Sequence, residues 1–97
     1  MRIIARKTLK SYWDKHKDSE IPLRSWYHTA RKAKWLNFNE LKQQFINASL
    51  VGNDRVVFNI KGNDYRLVVR IHFASGKMFI RFIGTHREYD KIDATSV

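Results

Sequence analysis

The sequence predicts an α+β fold in a single domain that covers residues 1–97. Before Gly52 the apolar residues recur at helical spacing, and after it they alternate with a period of two, which is typical of strands. With 43% hydrophobic residues and only four glycines, the chain has the composition of a protein with one hydrophobic core. We therefore expect helices that come first and pack on one face of an antiparallel sheet.

The N-terminal half begins with a short apolar run at residues 1–4, which predicts a strand. A first amphipathic helix is expected at about residues 6–16. A third and shorter helical segment is expected at about residues 40–46, where Asn37 or Asn39 can cap its N-terminus.

Between these segments a second helix is expected to follow Asp18 or Ser19, because both residue types cap helices well. Its outer side carries Arg31 and Lys32, which are candidates for RNA binding. Its buried side is a stripe of apolar residues at helical spacing: Leu23, Trp26, Tyr27 and Ala30.

The C-terminal half predicts three strands at residues 55–60, 65–73 and 78–83. The segments between them, residues 61–64 and 74–77, contain glycine and have the length of hairpin turns. An antiparallel meander is therefore expected.

Alternation divides the side chains of these strands between an apolar face, which packs against the helices, and an outer face. We expect Phe82 on the apolar face. The outer face collects five polar residues: Asn59, Arg66, Arg70, His72 and Arg81. It also keeps three apolar residues that suit contact with a nucleotide base: Val68, Phe79 and Ile83.

The charge is strongly positive, with 19 Lys and Arg against nine Asp and Glu, a formal net charge of +10. Such a field attracts polyanions, of which nucleic acid is the commonest in a cell. The carboxylates near the outer face, Asp54 and Asp64, lie only at strand ends and turns. A solvated basic sheet face is the alternative interpretation, but an external anion would relieve the repulsion among the cations.

After the third strand, Gly84 leads into a helical turn that places His86 and Tyr89 three residues apart on one side. RNA cleavage by attack of the 2′-hydroxyl needs a base, an acid and fixed cations, and these residue types supply them. A capping histidine and a packing tyrosine would also explain the pair. The tail after Asp93 is expected to fray.

No metal site and no cofactor are expected, because the four histidines show no metal-ligand spacing and there is no cysteine. The basic N-terminus interrupts any apolar stretch of signal-peptide length, and no run of residues is long enough to span a membrane. A cytoplasmic protein without a membrane partner is therefore expected.

The segments at residues 57–68 and 84–90 resemble the signature of the HigB toxins, a branch of the RelE/ParE group. The resemblance extends over essentially the whole chain. It implies a RelE-like fold and a cytoplasmic mRNA interferase that cuts mRNA in the ribosomal A site. It also implies inhibition by a HigA-like antitoxin with a helix-turn-helix, so that operator DNA is contacted only through the antitoxin.

The same resemblance assigns roles to residues. Arg66 matches the strand arginine that RelE-type toxins place against the scissile phosphate, and the HigB branch is similar to this chain in having His86 and Tyr89. Val57 and Asn59 replace the strand lysines of RelE, so His86 and Tyr89 carry proton transfer and Asn59 orients a hydroxyl or phosphate. Arg66, Arg70 and Arg81 would stabilise charge. The full RNA-binding set is Lys61, Arg70, His72, Arg87, Arg31 and Lys32.

Two other functions remain open at the level of sequence. ParE toxins share this fold but poison gyrase, since fold does not fix function. A plain RNA-binding domain would also carry the basic face, although binding alone has no use for a positioned acid and base.

Overall fold

The computed structural model describes all 97 residues, which form five strands and four α-helices. In chain order these are β1 (Arg2–Ile4), α1 (Arg6–Lys15), α2 (Glu20–Lys32), α3 (Phe38–Gln44), β2 (Ser49–Gly52), β3 (Arg55–Ile60), β4 (Tyr65–His72), β5 (Lys77–Thr85) and α4 (His86–Tyr89). The sheet has the order β1-β5-β4-β3-β2. The predicted α+β fold and the β3–β5 meander are confirmed, and β1 makes the sheet mixed because it pairs with β5 in parallel.

Helices α1, α2 and α3 pack on one face of the sheet, and the core lies between the two layers. α1 contributes Leu9 and Trp13 to it, and α2 contributes the predicted stripe, of which Tyr27 is only partly buried. Aromatic rings interlock at its centre, where Phe58 of β3 lies 5.2 Å from the ring of Trp26 in an edge-on arrangement. The opposite side of the sheet is the outer face. None of the helices combines the length and the apolarity that a membrane span requires.

The helix starts agree only in part with the prediction. Asn37 caps α3, since its side-chain oxygen accepts a hydrogen bond from the amide of Glu40 at 3.0 Å. Ser19 stands at the N-cap of α2, but its hydroxyl donates to the carbonyl of His16 at 2.6 Å and caps nothing. Asp18 does not cap α2 either, because its carboxylate contacts the turn between β3 and β4.

A bulge in β5 reverses the expected alternation near its end. Val68 of β4 pairs with Phe82, whereas the following residue of β4 pairs with Ile80, so Arg81 is one residue extra. Phe82 therefore lies on the outer face and Ile83 packs against the core. The prediction for these two residues was wrong because a period of two holds only in a strand without a bulge.

The last residues, 93–97, which we name the C-terminal segment, do not fray. The oxygen of Val97 accepts hydrogen bonds from Arg55 at 2.8 Å and from Arg81 at 3.1 Å. The side-chain amide of Asn53 donates to the carbonyl of Thr95 at 3.1 Å. The C-terminal segment is thereby fastened across the outer face.

Candidate active site

Arg66 lies at one end of the outer face, in β4 between Asn59 of β3 and Gly84 of β5. It is half-buried, and its guanidinium donates to the carbonyl of Asn63 at 3.4 Å. A Cβ atom at Gly84 would lie 2.6 Å from the ring of Phe82, so a larger residue at this position would force that ring to move.

Helix α4 begins directly after β5 and is fixed by a reciprocal cap. The hydroxyl of Thr85 accepts from the amide of Glu88 at 3.1 Å, and the Glu88 carboxylate accepts from the amide of Thr85 at 2.8 Å. The backbone hydrogen bond from Thr85 lowers the pKa of Glu88 below its usual value. The amide of His86 donates to the carbonyl of Asp64 at 3.0 Å, which ties the start of the helix to the β3–β4 turn.

The side chain of His86 contacts Asp90, a residue that the interpretation of the sequence did not include. Its Nδ1 lies 3.1 Å from a carboxylate oxygen of Asp90, which makes an ion pair when the imidazole is protonated, and both side chains are about half exposed. This contact orients the imidazole ring, and Nε2, its other nitrogen, forms no hydrogen bond within the protein. The spacing of four residues on one helix was the signal that would have identified Asp90.

Tyr89 completes this group, since the guanidinium carbon of Arg66 lies 5.8 Å from the centre of its ring. The ring of Phe82 supports it from the sheet, at 6.5 Å between centroids. Two side chains of types that can transfer a proton therefore lie near the guanidinium of Arg66. We name this group the Arg66 end: Asn59, Arg66, His86, Tyr89 and Asp90.

The middle of the outer face is closed. Val57 and Val68 point to this side, and yet they are only 4% and 0% exposed. The expectation that Val68 contacts a base is therefore wrong. Arg81, predicted to be catalytic, donates instead to the C-terminal segment and does not join the Arg66 end.

A second cationic group lies beyond that segment, about 13 Å from Arg66, since Arg66 and Arg70 are four residues apart along β4. Here a cavity of about 400 Å³ opens beside the β4–β5 turn. We name the residues that carry its polar and aromatic side chains the Arg70 end: Asp54, Arg70, His72, Ser75, Lys77 and Phe79. The predicted outer-face cations thus form two separate groups.

Lys61, which was predicted to bind RNA, forms ion pairs within the protein. Its ammonium lies 2.8 Å from the carboxylate of Asp18 and 3.4 Å from that of Asp64. The hydroxyl of Tyr65 also donates to Asp18. The hydrogen bond from Lys61, and then the one from Tyr65, hold the pKa of Asp18 below its usual value. The network fastens the turn between α1 and α2 to the turn that precedes Arg66.

The remaining predicted RNA-binding residues lie elsewhere. Arg87 is exposed on α4, beside His86, and forms no hydrogen bond or ion pair. Arg31 and Lys32 end α2 in the helical layer, on the other side of the sheet from the Arg66 end. No cluster of three or more His, Asp or Glu side chains suited to a metal ion is present.

Comparison with protein families gives a match over residues 19–92 to a model described as HigB_toxin, the RelE-like toxic component of a toxin–antitoxin system. The chain belongs to the HigB toxin family. Its relatives include the mRNA interferase toxin HigB of Escherichia coli K12, 32% identical over 93% of this chain and 88% of that protein. The mRNA interferase HigB of Escherichia coli O6:H1 is 26% identical over 95% of this chain and 91% of its own length.

In this HigB-family chain, the residues that the structure brings together are those nearest α4. His86, Tyr89, Arg66 and Asn59 share one end of the outer face, and Asp90 joins them. The RelE-like fold that the resemblance implied is therefore present, with a C-terminal helix folded back onto the sheet.

Proposed function

We propose that this chain is a toxin that cleaves mRNA and that the reaction takes place at the Arg66 end. The observation that carries the proposal is the ion pair of His86 with Asp90, on a helix whose Tyr89 lies against the Arg66 guanidinium. Membership of the HigB family and the name mRNA interferase of its relatives support an endoribonuclease. A plain binding domain would need no such arrangement of proton-transfer groups.

The reaction is an attack of the ribose 2′-hydroxyl on the adjacent phosphate. Nε2 of His86 takes the 2′ proton while the 2′ oxygen bonds to phosphorus and the bond from phosphorus to the 5′ oxygen breaks. Tyr89 donates its proton to that 5′ oxygen, and Arg66 donates hydrogen bonds to the phosphorane. Asn59, directly opposite Arg66, orients the substrate. The products are a 2′,3′-cyclic phosphate and a 5′-hydroxyl.

The partners proposed for this chain are the translating ribosome and a HigA-like antitoxin in the cytoplasm. Operator DNA is reached only through the helix-turn-helix of the antitoxin. A groove of about 670 Å³ beside β1 supports an acidic partner, because exposed Leu36 and a largely apolar lining are flanked by Arg2, Arg31 and Lys34. None of these three cations forms an ion pair within the chain, so each is available to a carboxylate.

Mapping of new RNA 5′ ends after induced expression tests the activity. We expect new ends within mRNA, in frame with codons and carrying a 5′-hydroxyl, and none after induction of His86→Ala. Intact mRNA together with DNA damage would contradict the proposal and indicate a gyrase poison.

The antitoxin is tested by co-expression of the neighbouring gene's product. We expect growth to resume and a stoichiometric complex to be purified. Lys34→Glu should weaken that complex by up to about fivefold if the groove takes an acidic surface, since a rim charge contributes up to about 1 kcal/mol. Complete growth arrest despite an excess of the product would rule out this partner.

A further inference from the structure

We infer that the Arg70 end is a second binding subsite for the mRNA strand, in which Arg70 and Lys77 hold a phosphate and Phe79 stacks on a base. The inference rests on the proposed function, because the strand in question is the one that the Arg66 end cleaves. It assigns a role to a cavity that lies outside the group of proton-transfer residues.

The donors of this cavity are free. Arg70 and Lys77 are exposed and form no side-chain hydrogen bond or ion pair. Other cations on this side of the sheet are occupied, since Arg55 and Arg81 donate to Val97. Free cations that face a cavity together repel one another, and a phosphate placed between them removes that repulsion.

His72 adds a third donor. Its Nδ1 accepts a hydrogen bond from the amide of Ser75 at 3.3 Å and lies 2.7 Å from the hydroxyl of the same residue. Since Nδ1 accepts, the neutral ring carries its proton on Nε2, which makes that atom a donor toward a ligand. Asp54 is the one carboxylate that lines the cavity, and two permanent cations outweigh it.

Phe79 supplies the aromatic surface. It pairs with Arg70 across β4 and β5, so its ring lies on the outer face, where it is half-exposed. Stacking of a base on such a ring tolerates any sequence, because every base has a flat π surface. The donors can therefore bind the phosphate of a nucleotide while the ring stacks on its base.

The distance between the two ends favours the mRNA strand as the ligand. A single strand that reaches both Arg66 and Arg70 must pass over the C-terminal segment and span at least about 13 Å, which exceeds the reach of one phosphate. The mRNA strand runs on continuously from the cleaved bond and can make this crossing. A phosphate of ribosomal RNA would have the same chemistry but no connection to the Arg66 end.

Titration with uncleavable 2′-O-methyl oligonucleotides of two and six nucleotides tests the inference, with NMR used to measure the affinity. We expect Arg70→Ala and Lys77→Ala each to weaken binding of the hexanucleotide and to lower the slope of log K against log salt by about 0.7 per lost phosphate contact. Binding of the dinucleotide at the Arg66 end should change much less. Phe79→Leu should weaken hexanucleotide binding at least about fivefold with little change in the slope.

Lys7→Ala is the matched control, because Lys7 is an exposed cation of α1 with no partner and its loss changes the net charge equally. If Arg70→Ala and its milder form Arg70→Gln weaken hexanucleotide binding no more than Lys7→Ala does, the mRNA subsite is refuted. The same result is expected if only ribosomal RNA binds at the Arg70 end, and it would refute the inference equally. The probe cannot be cut, so a protein that binds it as expected but cleaves no mRNA would refute the proposed function and leave the subsite standing.

Discussion

Arg66 and Arg70, at the two ends of the outer face, lie on the same strand and carry the same charge, and yet they differ in what surrounds them. Arg66 is covered by α4, which brings His86, Tyr89 and Asp90 to it. Arg70 has no helix beside it, and its cavity is lined by Asp54 of one hairpin turn and Ser75 of another. Positive charge on a sheet therefore accounts for binding at both ends, whereas chemistry at one of them depends on a helix of four residues that folds back.

The C-terminal segment keeps the two ends apart. Its Val97 accepts hydrogen bonds from Arg55 and Arg81, and Val57 and Val68 on the same face are buried. The two ends can consequently be altered one at a time, and each of the following changes is directed at the difference between them.

The largest effect is expected from His86→Ala. Loss of the group that takes the 2′ proton should lower the single-turnover rate of mRNA cleavage by about 10²–10⁴. Thermal unfolding provides the control, since a histidine that only capped β5 would lower stability and leave the rate of the folded protein unchanged. A folded variant that cuts at nearly the wild-type rate would remove His86 from the mechanism.

Arg66→Ala should lower the same rate by about 10²–10³, because a preorganised donor to the phosphorane is lost. Arg66→Lys should rescue it poorly, since lysine lacks the forked donors of a guanidinium. Full rescue by lysine would mean that only the charge matters at this position, which would make the two ends more alike than proposed.

Asp90→Asn should have a smaller effect, at most about fivefold, because an exposed ion pair contributes at most about 1 kcal/mol. The loss should fall on the single-turnover rate at saturating mRNA, with little change in binding, since the imidazole of His86 is no longer oriented by a carboxylate. Asp93→Asn, a change of equal charge in the C-terminal segment, is the control. An unchanged single-turnover rate for Asp90→Asn would exclude the positioning role.

The smallest effect concerns stability and Asp18. The pKa of Asp18 in the folded protein lies below the usual 3.8. Its contribution to the free energy of unfolding is therefore present above pH 3.8 and is lost as the pH falls through the lowered pKa. Asp18→Asn should therefore lower the melting temperature at pH 7, and the difference should vanish in stronger acid. Asp54→Asn at the Arg70 end, which breaks no ion pair, should show no such difference.

Much of this arrangement was predictable from the sequence because it depends on local spacing. The stripe on α2, the two glycine-containing turns and the position of Arg66 on the outer face follow from periods of 3.6 and two residues. The sequence also indicated His86 and Tyr89 as a pair on one helical turn.

Other features depend on contacts between distant residues and carry little local signal. The bulge at Arg81 exchanges the faces of Phe82 and Ile83, and an unbulged strand would have the same local pattern of residues. The edge strand β2 shows no clear alternation. The polar composition of the C-terminal segment suggested a frayed end. The segment is held instead by Arg55 and Arg81, which are far from it in sequence and give no local signal.

The central claim is that chemistry belongs to the Arg66 end and strand binding to the Arg70 end. The most direct test is the single-turnover rate of cleavage of ribosome-bound mRNA at saturating concentration, compared between Arg66→Ala and Arg70→Ala. We predict that the rate falls at least about tenfold further for Arg66→Ala, because only that variant loses a donor to the transition state. Equal losses of rate at saturation would contradict the division between the two ends.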